Sequence, residues 1–192
     1  MSRWEPDARR RLERASLELF VERGYDNTTV AEIAERAGLT KRTFFRHFAD
    51  KREVLFGGQE ILRRLFTDAI AGAPSSATPL ETIAAALAAV APIFDRERLE
   101  LALRRQAIIA AHTDLKEREL LKAATLTATM ADGFRSRGLS DLAAGVAAEL
   151  GQLAFRTAFS RWVSADGREF SDVATETLAD LKTAAELATA QP

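Results

Sequence analysis

The chain has 192 residues, 47% of them hydrophobic, which is enough for a real core and leaves room for one domain or two small ones. With 27 Lys and Arg against 28 Asp and Glu it is not basic throughout, so nucleic-acid binding would have to come from a local patch. The absence of cysteine excludes a disulfide framework and thiolate chemistry.

The charge is divided by region: residues 1–52 hold 12 Lys and Arg against 9 Asp and Glu, a local +3, and the remainder carries −4. The charged start MSRWEPDARRRLERA has no apolar segment behind it of signal-peptide type, so a cytoplasmic location is expected. The most apolar run, IAAALAAVAPIF at 83–94, is interrupted by Pro92 and falls short of the ~20 residues a bilayer needs. No membrane partner is expected.

Apolar residues recur at helical spacing nearly everywhere and no alternating strand stands out, which predicts an all-α fold. The first helix should run from Asp7 to Arg23, burying Leu12, Ala15, Ser16, Leu19 and Phe20 and ending at Gly24 in a left-handed cap. Thr29 and Glu32 form a capping box that opens a second helix with Val30, Ile33, Ala34 and Ala37 inward. Gly38 stops it, and Thr40 caps a third helix from Lys41. Asp50 and Glu53 are a further capping box, predicting one long fourth helix to about Ile70. Thr78, Pro79 and Glu81 restart the chain after the loop AGAPSSATP. Further helices are expected near 80–93, 96–111, 114–136, 140–164 and 171–189.

The stretch LTKRTFFRHF, 39–48, mixes cations and phenylalanines in an unusual way. At helical spacing Phe44 and Phe48 share one stripe while Phe45 turns toward Lys41. Two short helices joined by a glycine turn are the helix-turn-helix arrangement, whose second helix enters the DNA major groove. There Lys41 and Arg42 suit guanine edges or phosphates, Thr43 a base edge or thymine methyl, and Phe45 thymine methyls. His47 and Lys51 suit phosphates, and Arg46 is expected to be solvated or near a phosphate, away from the Lys41 side. Helices joined by glycine turns also occur in proteins that never meet DNA.

The run TTVAEIAERAGLTKRTFFRHFADKREVLF, 28–56, preceded by ASLELFVERGYDNTT, resembles the DNA-binding head of the tetracycline-repressor (TetR/AcrR) family of one-component transcriptional regulators. The resemblance runs from about Arg10 to Phe56. It implies an N-terminal three-helix head, residues 1–50, followed by a larger helical ligand-binding and dimerisation domain, residues 51–192. It also implies DNA contacts at Thr28, Thr29, Thr40, Lys41, Arg42, Thr43, Phe45, His47 and Lys51. Two residues depart from the common pattern: Phe45 stands where many relatives have tyrosine, and Arg42 where many have glycine.

The same resemblance implies double-stranded operator DNA, a small-molecule effector and a second copy of the chain as partners, with the protein a repressor that its effector releases. For the effector site it directs attention between the fourth and eighth helices, to Leu62, Phe66, Leu103, Ala107, Met130, Gln152, Phe155 and Phe159. For the dimer interface it points to Ala147, Leu150, Gly151, Ala154, Ala158, Trp162, Leu178 and Leu181, small and apolar residues that would serve equally as intramolecular core. The rival readings are a helical-bundle enzyme or a ligand-binding protein without operator binding. With no cysteine, no His-x-x-x-His or Glu-x-x-His pattern and two histidines, neither catalysis nor a metal or other cofactor is expected.

Overall fold

The computed structural model describes residues 8–164 and 167–190, except the side chains of 96, 97 and 188–190. Among these there is no strand, and the all-α expectation holds. The helices are α1 (Ala8–Arg23), α2 (Val30–Arg36), α3 (Lys41–His47), α4 (Gln59–Gly72), α5 (Pro79–Val90), α6 (Arg96–Ala111), α7 (Thr113–Ser136), α8 (Asp141–Ser164) and α9 (Phe170–Ala190), with 3-10 turns at Arg52–Phe56 and Ala91–Ile93. Asp7, the expected first helical residue, lies outside the described residues.

The chain divides into two compact units, one holding the sequence up to Gln59 together with Glu100–Glu119, the other Glu60–Leu99 with the sequence from Leu120. In the first unit α1 buries the stripe its spacing predicts, Leu12, Ala15, Ser16, Leu19 and Phe20. Ile33 and Ala37 from α2, Phe44 and Phe48 from α3, and Val54, Leu55 and Phe56 close on that stripe, joined by Ile108, Ile109 and Leu115. Burial of Phe44, at 0% exposure, contributes about 2–3 kcal/mol by area and locks the third helix to the first two. The turns rest on Gly24 and Gly38, whose φ values of +86° and +65° favour glycine.

The fourth helix is not continuous from the Asp50–Glu53 box. Asp50 accepts the Glu53 amide at 3.0 Å, but the chain makes a 3-10 turn, pauses at Gly57 and Gly58, and only then enters α4. The Glu53 carboxylate pairs with Arg118 on α7. Gly57 is closely approached: a Cβ there would displace the Glu13 carboxylate, the movable end of its side chain, and lie 3.1 Å from Arg9 and 3.2 Å from the Phe48 ring. Arg9 also donates to the Gly57 carbonyl, fixing α1 against the turn. Gly58 faces open space.

In the second unit α8 packs on α9 and α5. Thr78 and Glu81 cap α5 reciprocally, as their spacing predicts. Arg137 donates to the carbonyls of Ala73 and Pro74, both at 2.6 Å, satisfying acceptors beyond the end of α4. The small residues of α8 form a buried stripe: Ala147 is 4% exposed, Ala154 and Ala158 0%. A Cβ at Gly151 would lie 3.3 Å from the Met130 sulfur, so α8 meets its own chain there. Trp162 and Leu178 are buried too, and Leu150 and Leu181 part-buried. The stripe read from sequence as a dimer face is thus largely occupied by intramolecular packing. Leu142, Val146 and Leu153, at 80%, 61% and 36% exposure, form the outward apolar line of the same helix instead. No helix among the described residues is long and apolar enough to cross a membrane.

Candidate nucleic-acid interface

The Thr40 hydroxyl accepts the Thr43 amide at 3.1 Å and starts α3, while the Thr29–Glu32 box starts α2. These caps spend the hydroxyls of Thr29 and Thr40 on the helix starts, with Thr40 and Thr43 Oγ1 3.0 Å apart. Phe44 points inward, and Phe45, 56% exposed, stands edge-on to it at 5.5 Å. Arg42, Thr43, Phe45 and Arg46 line one concave surface. Arg46 therefore shares a face with Arg42, one helical turn on, rather than turning away from the expected readers.

The distribution of paired and free cations defines the site. Arg36 is bidentate on Glu22 at 2.7 and 2.9 Å, Arg23 meets Glu32 at 2.8 Å, and Arg52 meets Asp50 at 2.9 Å. These partners hold the Glu22 carboxyl below its ordinary pKa, through Arg36 first, and the Glu32 carboxyl likewise, through the Thr29 amide first. Arg9 and Arg11 donate to the carbonyls of Gly57 and Ala37. Among the described residues of α3, Lys41, Arg42 and Arg46 are exposed and have no hydrogen-bond or ion-pair partner. Three exposed, unpartnered cations of the N-terminal sequence are thus gathered on this one helix, with Arg10 of α1 exposed as well.

Three expected contacts sit differently from their solvent-facing neighbours. Thr28 is 2% exposed and donates to the Gly24 carbonyl at 2.9 Å, which gives its hydroxyl to the turn. Lys51 places Nζ 4.2 Å from the Tyr25 ring centre and donates to the carbonyls of Tyr25 at 2.7 Å and Thr28 at 3.0 Å. His47 is part-buried with an unpartnered Nε2. Burial, then the Arg46 and Arg9 charges, hold its imidazole below the usual range, so near neutral pH it offers hydrogen bonds rather than charge.

Sequence reasoning missed the part played by residues 100–119. Arg105 donates to the Leu55 carbonyl, pairs with Glu119 at 2.9 Å and lies over the Phe56 ring at 5.2 Å. His112, between α6 and α7, packs edge-on against Tyr25 at 4.9 Å and engages the Ile108 carbonyl at 2.8 Å. Burial pushes the Tyr25 phenol up to about 12, so it stays protonated within this cluster. Only the apolar spacing of Ile108, Ile109 and Leu115 signals such packing, and it names no partner.

The residues expected at the effector site are divided. Leu103 is 47% exposed and Ala107 exposed, both in the segment counted with the first unit. In the second unit Leu62, Phe66 and Met130 are buried, and Gln152, Phe155 and Phe159 part-buried. Among the described residues no three His, Cys, Asp or Glu side chains gather as metal ligands would.

Comparison with known proteins agrees with this geometry. The family described as bacterial regulatory proteins, tetR family, matches residues 13–56. The HTH-type transcriptional regulator TcmR of Streptomyces glaucescens is 42% identical over 82 residues, covering 43% of this chain and 36% of TcmR, about a third of that relative's length. FadR of Thermus thermophilus, a TetR-family transcriptional repressor solved in complex with lauroyl-CoA, has a TM-score of 0.54 at 25% identity over 89% of this chain and 91% of its own. A TetR/AcrR-family regulator from Aquifex aeolicus, at 20% identity and TM-score 0.54 over 92% and 98% of the two chains, shares the fold. Residues 13–56 are thus a DNA-binding head of the tetR-family type, and the helical fold around them is the one seen in TetR/AcrR-family regulators.

Proposed function

We propose that the chain is a sequence-specific DNA-binding repressor that grips a near-palindromic operator as a homodimer and is released by a small-molecule effector. The observation that carries this reading is the concentration of three exposed, unpaired cations and an exposed aromatic ring on one short helix. Lys41, Arg42 and Arg46 supply phosphate attraction and base contacts, and Phe45 offers an apolar surface to thymine methyls. Thr29, Thr40 and Thr43 border this surface. Thr28 and Lys51 shape the turn beneath it, and His47 anchors the far end of the helix.

Residues 1–50 carry the reading surface, and the effector and dimerisation functions lie within 51–192. Pairing through the outward faces of α8 and α9 would cover Leu142, Val146, Leu153 and Leu187 and give the two-fold symmetry a palindrome requires. FadR's lauroyl-CoA complex supports a small-molecule effector for this fold.

The test is selection of bound sequences from random duplex DNA, followed by binding to point variants of the selected site. The proposal requires two related half-sites about one helical turn apart. Arg42→Ala should cost about 1–3 kcal/mol and relax preference at one base pair in each half-site. Enrichment of no sequence would return the chain to the rival reading, a helical ligand-binding protein without an operator.

A further inference from the structure

Phe94, Phe155 and Phe159 of the second unit are part-buried, and their ring centres form a triangle with sides of 5.7, 6.0 and 6.2 Å. Buried rings hold the triangle from behind: Phe170 stacks on Phe94 at 4.4 Å, and Phe66 meets Phe155 edge-on at 5.5 Å. Gln152 shares the α8 face of Phe155 and Phe159 at spacings of three and seven residues. Its Oε1 is buried without a hydrogen-bond partner.

These features are complementary in an informative way. A buried amide oxygen left unmade costs about 1–3 kcal/mol, so a folded protein keeps one where something else satisfies it. Incompletely covered rings at these spacings accept another ring in the offset or edge-on geometries that aromatic pairs prefer. None of these side chains is charged, so nothing in the set compensates a charged ligand.

We infer that Phe94, Phe155, Phe159 and Gln152 form a seat for a neutral, flat aromatic molecule that donates one O–H or N–H to Gln152 Oε1. The inference rests on the proposed effector response and narrows it to a ligand class, aromatic hydrogen-bond donors rather than aliphatic chains.

The experiment is equilibrium dialysis of the full chain against 2-naphthol, 2-methoxynaphthalene and laurate. In the second a methyl group replaces the hydroxyl hydrogen of the first, so the donor is lost while the ring system is kept. Expected are saturable binding of 2-naphthol, affinity about tenfold above that of its methyl ether, the value of one net hydrogen bond, and weaker binding of laurate. In Gln152→Leu the ratio should fall to near one, and in Gln152→Glu, which keeps an acceptor, it should persist. Equal affinity for the matched pair in the unmodified chain overturns the inference without need of a variant. So does a ratio preserved in Gln152→Leu, laurate displacing 2-naphthol, or no saturable binding. DNA binding of the same preparation separates the two proposals: donor preference without DNA binding upholds the seat and sinks the repressor reading, whereas DNA binding without donor preference sinks the seat alone.

Discussion

Lys51→Met keeps most of the aliphatic stem and removes the charge, and its outcome separates two roles that sequence alone cannot tell apart. As a phosphate clamp, Lys51 would contribute to DNA affinity and its salt dependence and little to folding. In the structure its ammonium is engaged by the Tyr25 and Thr28 carbonyls at 2.7 and 3.0 Å and by the Tyr25 ring at 4.2 Å. A charged hydrogen bond contributes about 1.5–3 kcal/mol when buried. For a part-exposed ammonium about 0.5–1 kcal/mol each is appropriate, with a similar amount from the ring. The loss should be about 1.5–3 kcal/mol of head stability. Urea unfolding followed by circular dichroism would show a shift in midpoint of about 1 M for a slope near 2 kcal/mol/M. The salt slope of DNA binding should not change. An unaltered midpoint with a slope lower by about 1 per half-site would refute the carbonyl-clamp assignment and restore the phosphate role.

Val146→Asp should split the proposed dimer while leaving helicity intact, whereas Ala158→Arg should unfold the second unit by burying an unpaired charge; sedimentation and circular dichroism together check the contrast. Gly57→Ala should destabilise the head by forcing Glu13, Arg9 and Phe48 apart, while Gly58→Ala should be neutral or stabilising by up to about 1 kcal/mol; equal effects in thermal unfolding would contradict the close-approach account. His47 has a folded pKa below its unfolded value, so its contribution is intact above about pH 6.5 and declines as pH falls through that value toward the folded pKa. The wild-type melting temperature should therefore fall further than that of His47→Gln between about pH 7.5 and pH 5.5, and parallel declines would remove His47 as the source.

Local signals in the sequence carried the architecture because helix starts and stops are written in nearest neighbours. Thr29 with Glu32, Thr78 with Glu81, and Gly24 and Gly38 each act within four residues, and each element begins or ends where they place it. The inward Phe44 and outward Phe45 followed from helical spacing alone. What was not legible depended on distant partners. Gly57 reads as a flexible helix position until Glu13 and Phe48 are seen beside it. The alanines of α8 signal close approach of another helix without saying whose, and most of them meet their own chain. Lys51 and Thr28 look like polar surface, but carbonyls brought round by the Gly24 turn claim them. Arg46 was assigned by contrast with Lys41, though its spacing from Arg42 puts both on one face.

The central claim is that the unpaired cations of α3 are the DNA-reading charge of the molecule. Its most direct test is fluorescence anisotropy with duplex DNA from the region upstream of the protein's own coding sequence, over a range of salt concentrations. The wild type should be compared with an Arg42→Ala, Arg46→Ala double variant and with Arg36→Ala, whose guanidinium is already neutralised by Glu22. The account predicts tight, steeply salt-dependent binding by the wild type, a slope reduced by about 2 per half-site in the double variant, and an unchanged slope in Arg36→Ala. A slope that falls as much per cation in Arg36→Ala as in the double variant, or does not fall in the double variant, would contradict it.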